Sequence, residues 1–179
     1  VFLYAQGWKY TAVAGFIVLS DFRQAAGLSE AKPISTIERM AKARKLKVKA
    51  VGQYRMSAVT TIASKLSADD QLYCLRVALD EIANDSAHVS TIGRDWAEGD
   101  LSSVRARYRE SAAQRCLMRA PGGPALLEKG VAQTTAAMTD ALKRPGVTVA
   151  VVDLGFLLPG NGVLDRLKAD GATISSPVE

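Results

Sequence analysis

The sequence predicts an α/β domain, rich in helix, with a small and mainly parallel sheet. Three observations point there. Val147-Thr148-Val149-Ala150-Val151-Val152 is an apolar, β-branched run of the kind that forms a buried strand. Leu46-Lys47-Val48-Lys49-Ala50-Val51 alternates strictly between apolar and polar or small residues, the pattern of a half-exposed strand. Between these two segments apolar residues recur at spacings of three and four, the period of a helix face.

The elements follow in order. Val13, Phe16, Ile17, Leu19 and Phe22 define a helix from about Trp8 to Ala26, with Gly27 placed to cap it. After a linker at Ser29–Lys32, Pro33 suits the first turn of a second helix reaching Ala43. The 46–51 strand ends at Gly52, and a short helix is expected over Ser57–Lys65. Ser67 then reads as an N-cap, with Asp69 and Asp70 favourable to the dipole of the helix that carries Leu72, Leu75, Val77, Leu79 and Ile82. Further helices are expected from about Asp85 to Glu98, closed by Gly99, and from Leu101 to Met118. Ala120-Pro121-Gly122-Gly123-Pro124 is a loop, and a last long helix runs from about Ala125 to Leu142, stopped by Lys143-Arg144-Pro145-Gly146. After the 147–152 strand come a turn at Pro159–Gly162, a helix bearing Val163, Leu164 and Leu167 and ended by Gly171, and a short strand at Ala172–Ile174. Two or three short strands make an uncomfortable sheet alone, so the expected sheet is either small or completed by strands upstream of Val1. Residues 1–179 are read as one domain.

Composition is that of an ordinary globular chain, 48% apolar and 23% charged, with a formal net charge of +5. The excess is local: Lys32, Arg39, Lys42, Arg44, Lys45, Lys47 and Lys49 fall within eighteen residues. One reading is a solvated helix end followed by an edge strand that lysines keep from aggregating. The other is a patch for an acidic partner or an anionic lipid surface. No aromatic residue is interleaved, which speaks against a nucleic-acid groove. The longest nearly uncharged stretch, Tyr10 to Ser20, is too short for a membrane span of roughly 20 residues. The start at Val1, without methionine, leads us to expect residues upstream.

Motifs for chemistry are sparse. No phosphate-binding loop, dinucleotide fingerprint or nucleophile elbow occurs. His88, the single histidine, lies on a polar helical stretch and is a weak candidate for a catalytic base. Cys74 and Cys116, the two cysteines, are either buried free thiols or a disulfide between helices; with one histidine they do not complete an ordinary zinc site. Glu81 and Asp85 share a helix face, although acid-rich faces are usually just solvated. Asp95, Glu98, Gly99 and Asp100 read as a structural turn. Asp153 stands apart, because it directly follows the apolar run, at the end of a strand where α/β proteins often place their sites. It is equally suited to capping the turn that follows.

Several segments taken together resemble the TraB/GumN family: Ala50-Val51-Gly52-Gln53-Tyr54, Asp69–Leu72 with Leu79–Glu81, Asp95–Leu101, and the Val147–Ile174 closing unit, covering roughly residues 33–175. Family members are proposed to include metal-dependent proteases. A Glu in the family's Gly-Leu-Glu-Thr falls on Tyr54, and the histidine of its Gly-x-x-His falls on Phe156, in the stretch Asp153-Leu154-Gly155-Phe156. Neither replacement supplies a metal ligand at neutral pH. The resemblance therefore implies a degenerate member matching the family's C-terminal part: a non-catalytic domain, without metal or cofactor, that serves as a binding or structural component of a protein assembly. Two alternatives are kept. One is a metal-dependent hydrolase with a relocated site, using Asp153 and His88, or one completed by upstream residues. The other is a membrane-peripheral adaptor using the basic patch with the Trp8–Phe22 helix. Bacterial members are often exported, so the resemblance also implies a periplasmic or otherwise exported protein and favours a Cys74–Cys116 disulfide.

Overall fold

The structure, a computed structural model, describes residues 11–26, 33–51 and 65–175. Its elements are α1 (Thr11–Ala25), α2 (Pro33–Ala43), α3 (Ala68–Glu98), α4 (Leu101–Arg107), α5 (Ala112–Arg119), α6 (Gly123–Leu142), α7 (Leu154–Leu157) and α8 (Val163–Ala169).

No strand occurs among the described residues, and this corrects the expected α/β class with its mainly parallel sheet. Residues 46–51, 147–152 and 172–174 lie outside any helix or strand. A strand exists only where a neighbour accepts and donates along its backbone, and none of the described backbone hydrogen bonds joins residues 147–152. Val147 and Val149 stand 96% and 84% exposed instead of facing a core. Their β-branched chemistry reports what a pleated surface would accept, and here no such surface is offered. The lysines at 47 and 49 therefore edge no sheet.

The 31-residue α3 is the axis of the packing. Its start follows the sequence: Ser67 Oγ accepts from the Asp70 amide at 3.1 Å, and Asp69 and Asp70 sit in the first turn. The expected break near Asp85 does not occur, because no glycine or proline lies between Ala68 and Ile92, and the helix runs on through Gly93 to Glu98. Gly99, at φ +76°, ends the helix, and Asp100 caps α4 by accepting from the Ser103 amide at 3.0 Å. Hydrogen bonds from the Ser103 hydroxyl first and its amide second, with those from Ser102, lower the Asp100 carboxyl to a pKa of about 2.

Helix α1 packs along α3. The face turned inward keeps Phe16 and Leu19 of the apolar stripe read from the sequence, but not Val13 or Ile17. Ala12, Gly15 and Leu19 are buried, while Val13, Ile17 and Val18 are exposed. Gly15 explains the rotation. A Cβ there would meet Leu75 Cδ1 at 3.0 Å and the Leu75 Cα at 3.1 Å, so the two helices approach closely only where α1 is smallest. Helix α5 completes this layer, and α1, α3 and α5 together enclose two adjoining apolar clusters around Cys74, Cys116, Val77 and Ala78.

The expected 101–118 helix is divided at Tyr108–Ser111, where α5 begins. The cause is a capping box: Gln114 N donates to Ser111 Oγ at 3.2 Å, and Ser111 N donates to Gln114 Oε1 at 3.1 Å. Helix α6 packs on α5, and α7 and α8 pack back on α6, burying Val163 and Leu167. An Arg166–Glu128 fork with both contacts at 2.8 Å ties α8 to α6 and holds the Glu128 carboxyl below its ordinary value. Helix α2 packs closely on no other described helix. Of the Ser57–Lys65 stretch expected to be helical, residues 57–64 lie outside the described residues and Lys65 stands in a turn. No helix among the described residues is long and apolar enough to cross a membrane.

Candidate functional site

The residues the sequence marks most strongly, Asp153 to Phe156, form the short helix α7 and its cap. Asp153 is the N-cap: its Oδ1 accepts from the Gly155 amide at 2.7 Å, and its carbonyl accepts from the amides of Phe156 and Leu157 at 3.0 and 3.1 Å. Of the two roles open to Asp153, its geometry performs the cap. Gly155 is buried against α5, where any Cβ would overlap the Gln114 side-chain amide. Gln114 thus serves twice, closing the α5 capping box and forming the bed of the α7 turn. Tyr108, half-buried beside them, has its phenol pushed up by burial first, and then by the Asp153 and Glu110 carboxylates.

This seating yields a direct expectation. Gly155→Ala forces the α7 turn off α5 and costs about 1–3 kcal/mol in denaturant unfolding, whereas Gly155→Ala with Gln114→Ala recovers part of the loss. An additive double variant would place the conflict elsewhere.

A second polar centre lies where α1, α3 and α5 meet. Glu81 is buried, accepts from Arg23 at 2.5 Å through Oε1, and accepts from the Ala112 amide through Oε2. Asp85, one turn further along α3, accepts from the same guanidinium at 3.2 Å. Arg115 approaches Glu81 Oε2 at 4.0 Å and donates to the Val77 carbonyl at 3.1 Å. The carboxylate therefore meets the unpaired amides at the start of α5, the end of a helix that favours negative charge. These acids are therefore not loosely solvated.

The remaining candidates fall in different places. Cys74 and Cys116 form a disulfide, with Cα atoms 4.9 Å apart, which excludes Cys74 as a free nucleophile. His88 is carried on α3, and its side chain lies outside the described residues, as does Tyr54. Phe156 is half-buried on α7. Arg39 and Lys42 lie on α2, Arg44 and Lys45 in the turn after it, and Lys47 and Lys49 beyond. Asp95 pairs with Arg107, joining the ends of α3 and α4 as the structural-turn reading expects.

A metal of the kind used by hydrolases takes about three protein ligands. At the α7 turn the one described donor is the Asp153 carboxylate, already accepting an amide hydrogen, and the neighbouring Phe156 offers no ligand atom. This donor set does not fit a metal. Elsewhere among the described residues no group of three His, Cys, Asp or Glu gathers in a metal-binding arrangement.

Gln114 and Gly155 were not singled out from the sequence. The Ser111-x-x-Gln114 capping box was a readable signal for the first. The second needed the contact itself.

The chain belongs to the TraB/PrgY/gumN family, whose pattern matches residues 3–176. A match of this extent does not single out a C-terminal part of the family, and gives no support to the description of the chain as degenerate. No curated protein and no solved structure matches the chain.

Proposed function

We propose that this TraB/PrgY/gumN-family domain is non-catalytic and works by binding, as a component of a protein assembly. One observation carries the reading. At the turn where the family resemblance places its chemistry, the one acid available holds the backbone together. Asp153 spends its carboxylate on the Gly155 amide, and Phe156 stands in the histidine position. The other described candidates are similarly engaged, Glu81 at the start of α5 and Cys74 in the disulfide. The disulfide also supports an exported, oxidising location, since such bonds persist mainly outside the reducing cytosol.

Purified protein incubated with unstructured peptides, with and without added zinc, tests this. No turnover, and no stoichiometric zinc retained after dialysis, is the expected result. Metal-dependent hydrolysis that Asp153→Ala removes from a folded protein would overturn the reading in favour of a hydrolase.

A further inference from the structure

From the charge and exposure of one limb we infer that residues 33–51 dock the protein onto an anionic lipid surface. The charge distribution is the first support. Residues 33–51 carry six basic side chains, Arg39, Lys42, Arg44, Lys45, Lys47 and Lys49, against the single acid Glu38, a local charge of +5. The whole chain also sums to +5, from 23 basic and 18 acidic residues. The other residues therefore balance at 17 of each sign, and the net charge of the protein is the charge of this limb. None of the six basic groups is in an ion pair with a described acid.

The second support is an apolar stripe beside those charges, exposed at Ile34 and Met40 and half-buried at Ile37 and Ala41. On α2, Ile34, Ile37, Met40 and Ala41 lie within one arc of about 120°. Ile34 is 68% exposed, Met40 is also exposed, and α2 packs closely on no described helix. The pattern continues past the helix, where Leu46, 62% exposed, and the exposed Val48 alternate with Lys47 and Lys49.

Apolar side chains within a residue or two of lysines suit a surface where hydrocarbon lies just below anionic headgroups. The lysine stems reach along the apolar layer and leave their ammonium groups among phosphates. Four of the six cations are lysines, compact point charges that read a diffuse field better than the fixed geometry of a single carboxylate. An acidic protein partner is thus the less favoured occupant. This inference goes beyond the non-catalytic reading and uses a readout independent of it.

Co-sedimentation of the full chain with vesicles decides the matter, comparing phosphatidylcholine alone with phosphatidylcholine containing roughly one-third phosphatidylglycerol. Binding is expected only to the anionic vesicles, with release at about 0.5 M salt. Lys42→Gln, Lys45→Gln, Lys47→Gln and Lys49→Gln combined should weaken binding on the order of 100-fold. Ile34→Ser with Met40→Ser should weaken it about tenfold. All variants should keep the wild-type helical circular dichroism, since the limb lies outside the core. Binding equal on neutral and anionic vesicles, no binding to either, or a charge variant that binds like wild type would overturn the inference. Retention on polyglutamate beads without vesicle binding would overturn it too, and assign the limb to an acidic protein.

Discussion

Replacing both Cys74 and Cys116 with alanine is expected to lower stability by about 4 kcal/mol, the largest effect of any conservative change in this chain. The bond spans a sequence separation of 42 residues. Opening it returns to the unfolded chain the freedom of a loop that contains most of α3, all of α4 and half of α5. Both cysteines lie at the centre of the α1–α3–α5 core, Cys74 fully buried, so alanine removes packing as well as the cross-link. For a chain of this size the loss corresponds to roughly 8–16 °C in unfolding temperature. Thermal unfolding with and without reductant checks it. The wild type should fall toward the variant when reduced, and the variant should not move. A wild type indifferent to reductant would show that the two sulfurs are not joined.

The second large effect belongs to Glu81. Glu81→Ala is expected to cost about 2–4 kcal/mol in urea unfolding, because it leaves the Ala112 amide buried without an acceptor and removes the partner of Arg23 and Arg115. Arg23→Ala should cost less than about 1 kcal/mol. Its side chain is 45% exposed, so the ion pair is screened and the carboxylate keeps its backbone partner. The asymmetry is the informative outcome. Equal losses for the two variants would mean that the ion pair, and not the anchoring of α5, supplies the stability.

These expectations rest on elements that were legible in the sequence to different depths. Helices whose stops are local chemistry were readable almost to the residue. Pro33 opens α2, Ser67 opens α3, Gly99 closes it, and Gly171 turns the chain at φ +89° after α8. The sheet was not readable. Whether Val147–Val152 becomes a strand depends on a neighbouring backbone that no residue within the run encodes. The α1 face was read only in part for a related reason. Hydrophobic size pointed to Phe16 and Leu19, which do face the core, and also to Val13 and Ile17, which do not; the close approach to α3 falls at Gly15, which has no hydropathy to announce it. At the α7 turn, Asp153 was legible as a position and ambiguous as a role. Only the 2.7 Å bond to the Gly155 amide assigns it as a cap. The disulfide entered through family resemblance and was then found in the fold.

The packing also divides at Pro121-Gly122. Before this point, α1, α3 and α5 share the two apolar clusters and the disulfide; after it, α6, α7 and α8 pack mainly on one another. The later helices meet the earlier ones through α5, including the bed that Gln114 makes for Gly155. The 123–171 part is therefore expected to open toward solvent while the cross-linked part stays closed, so its amides should exchange with deuterium at a lower free-energy cost than those flanking Cys74. The α7 turn lies on the side of that boundary expected to open first.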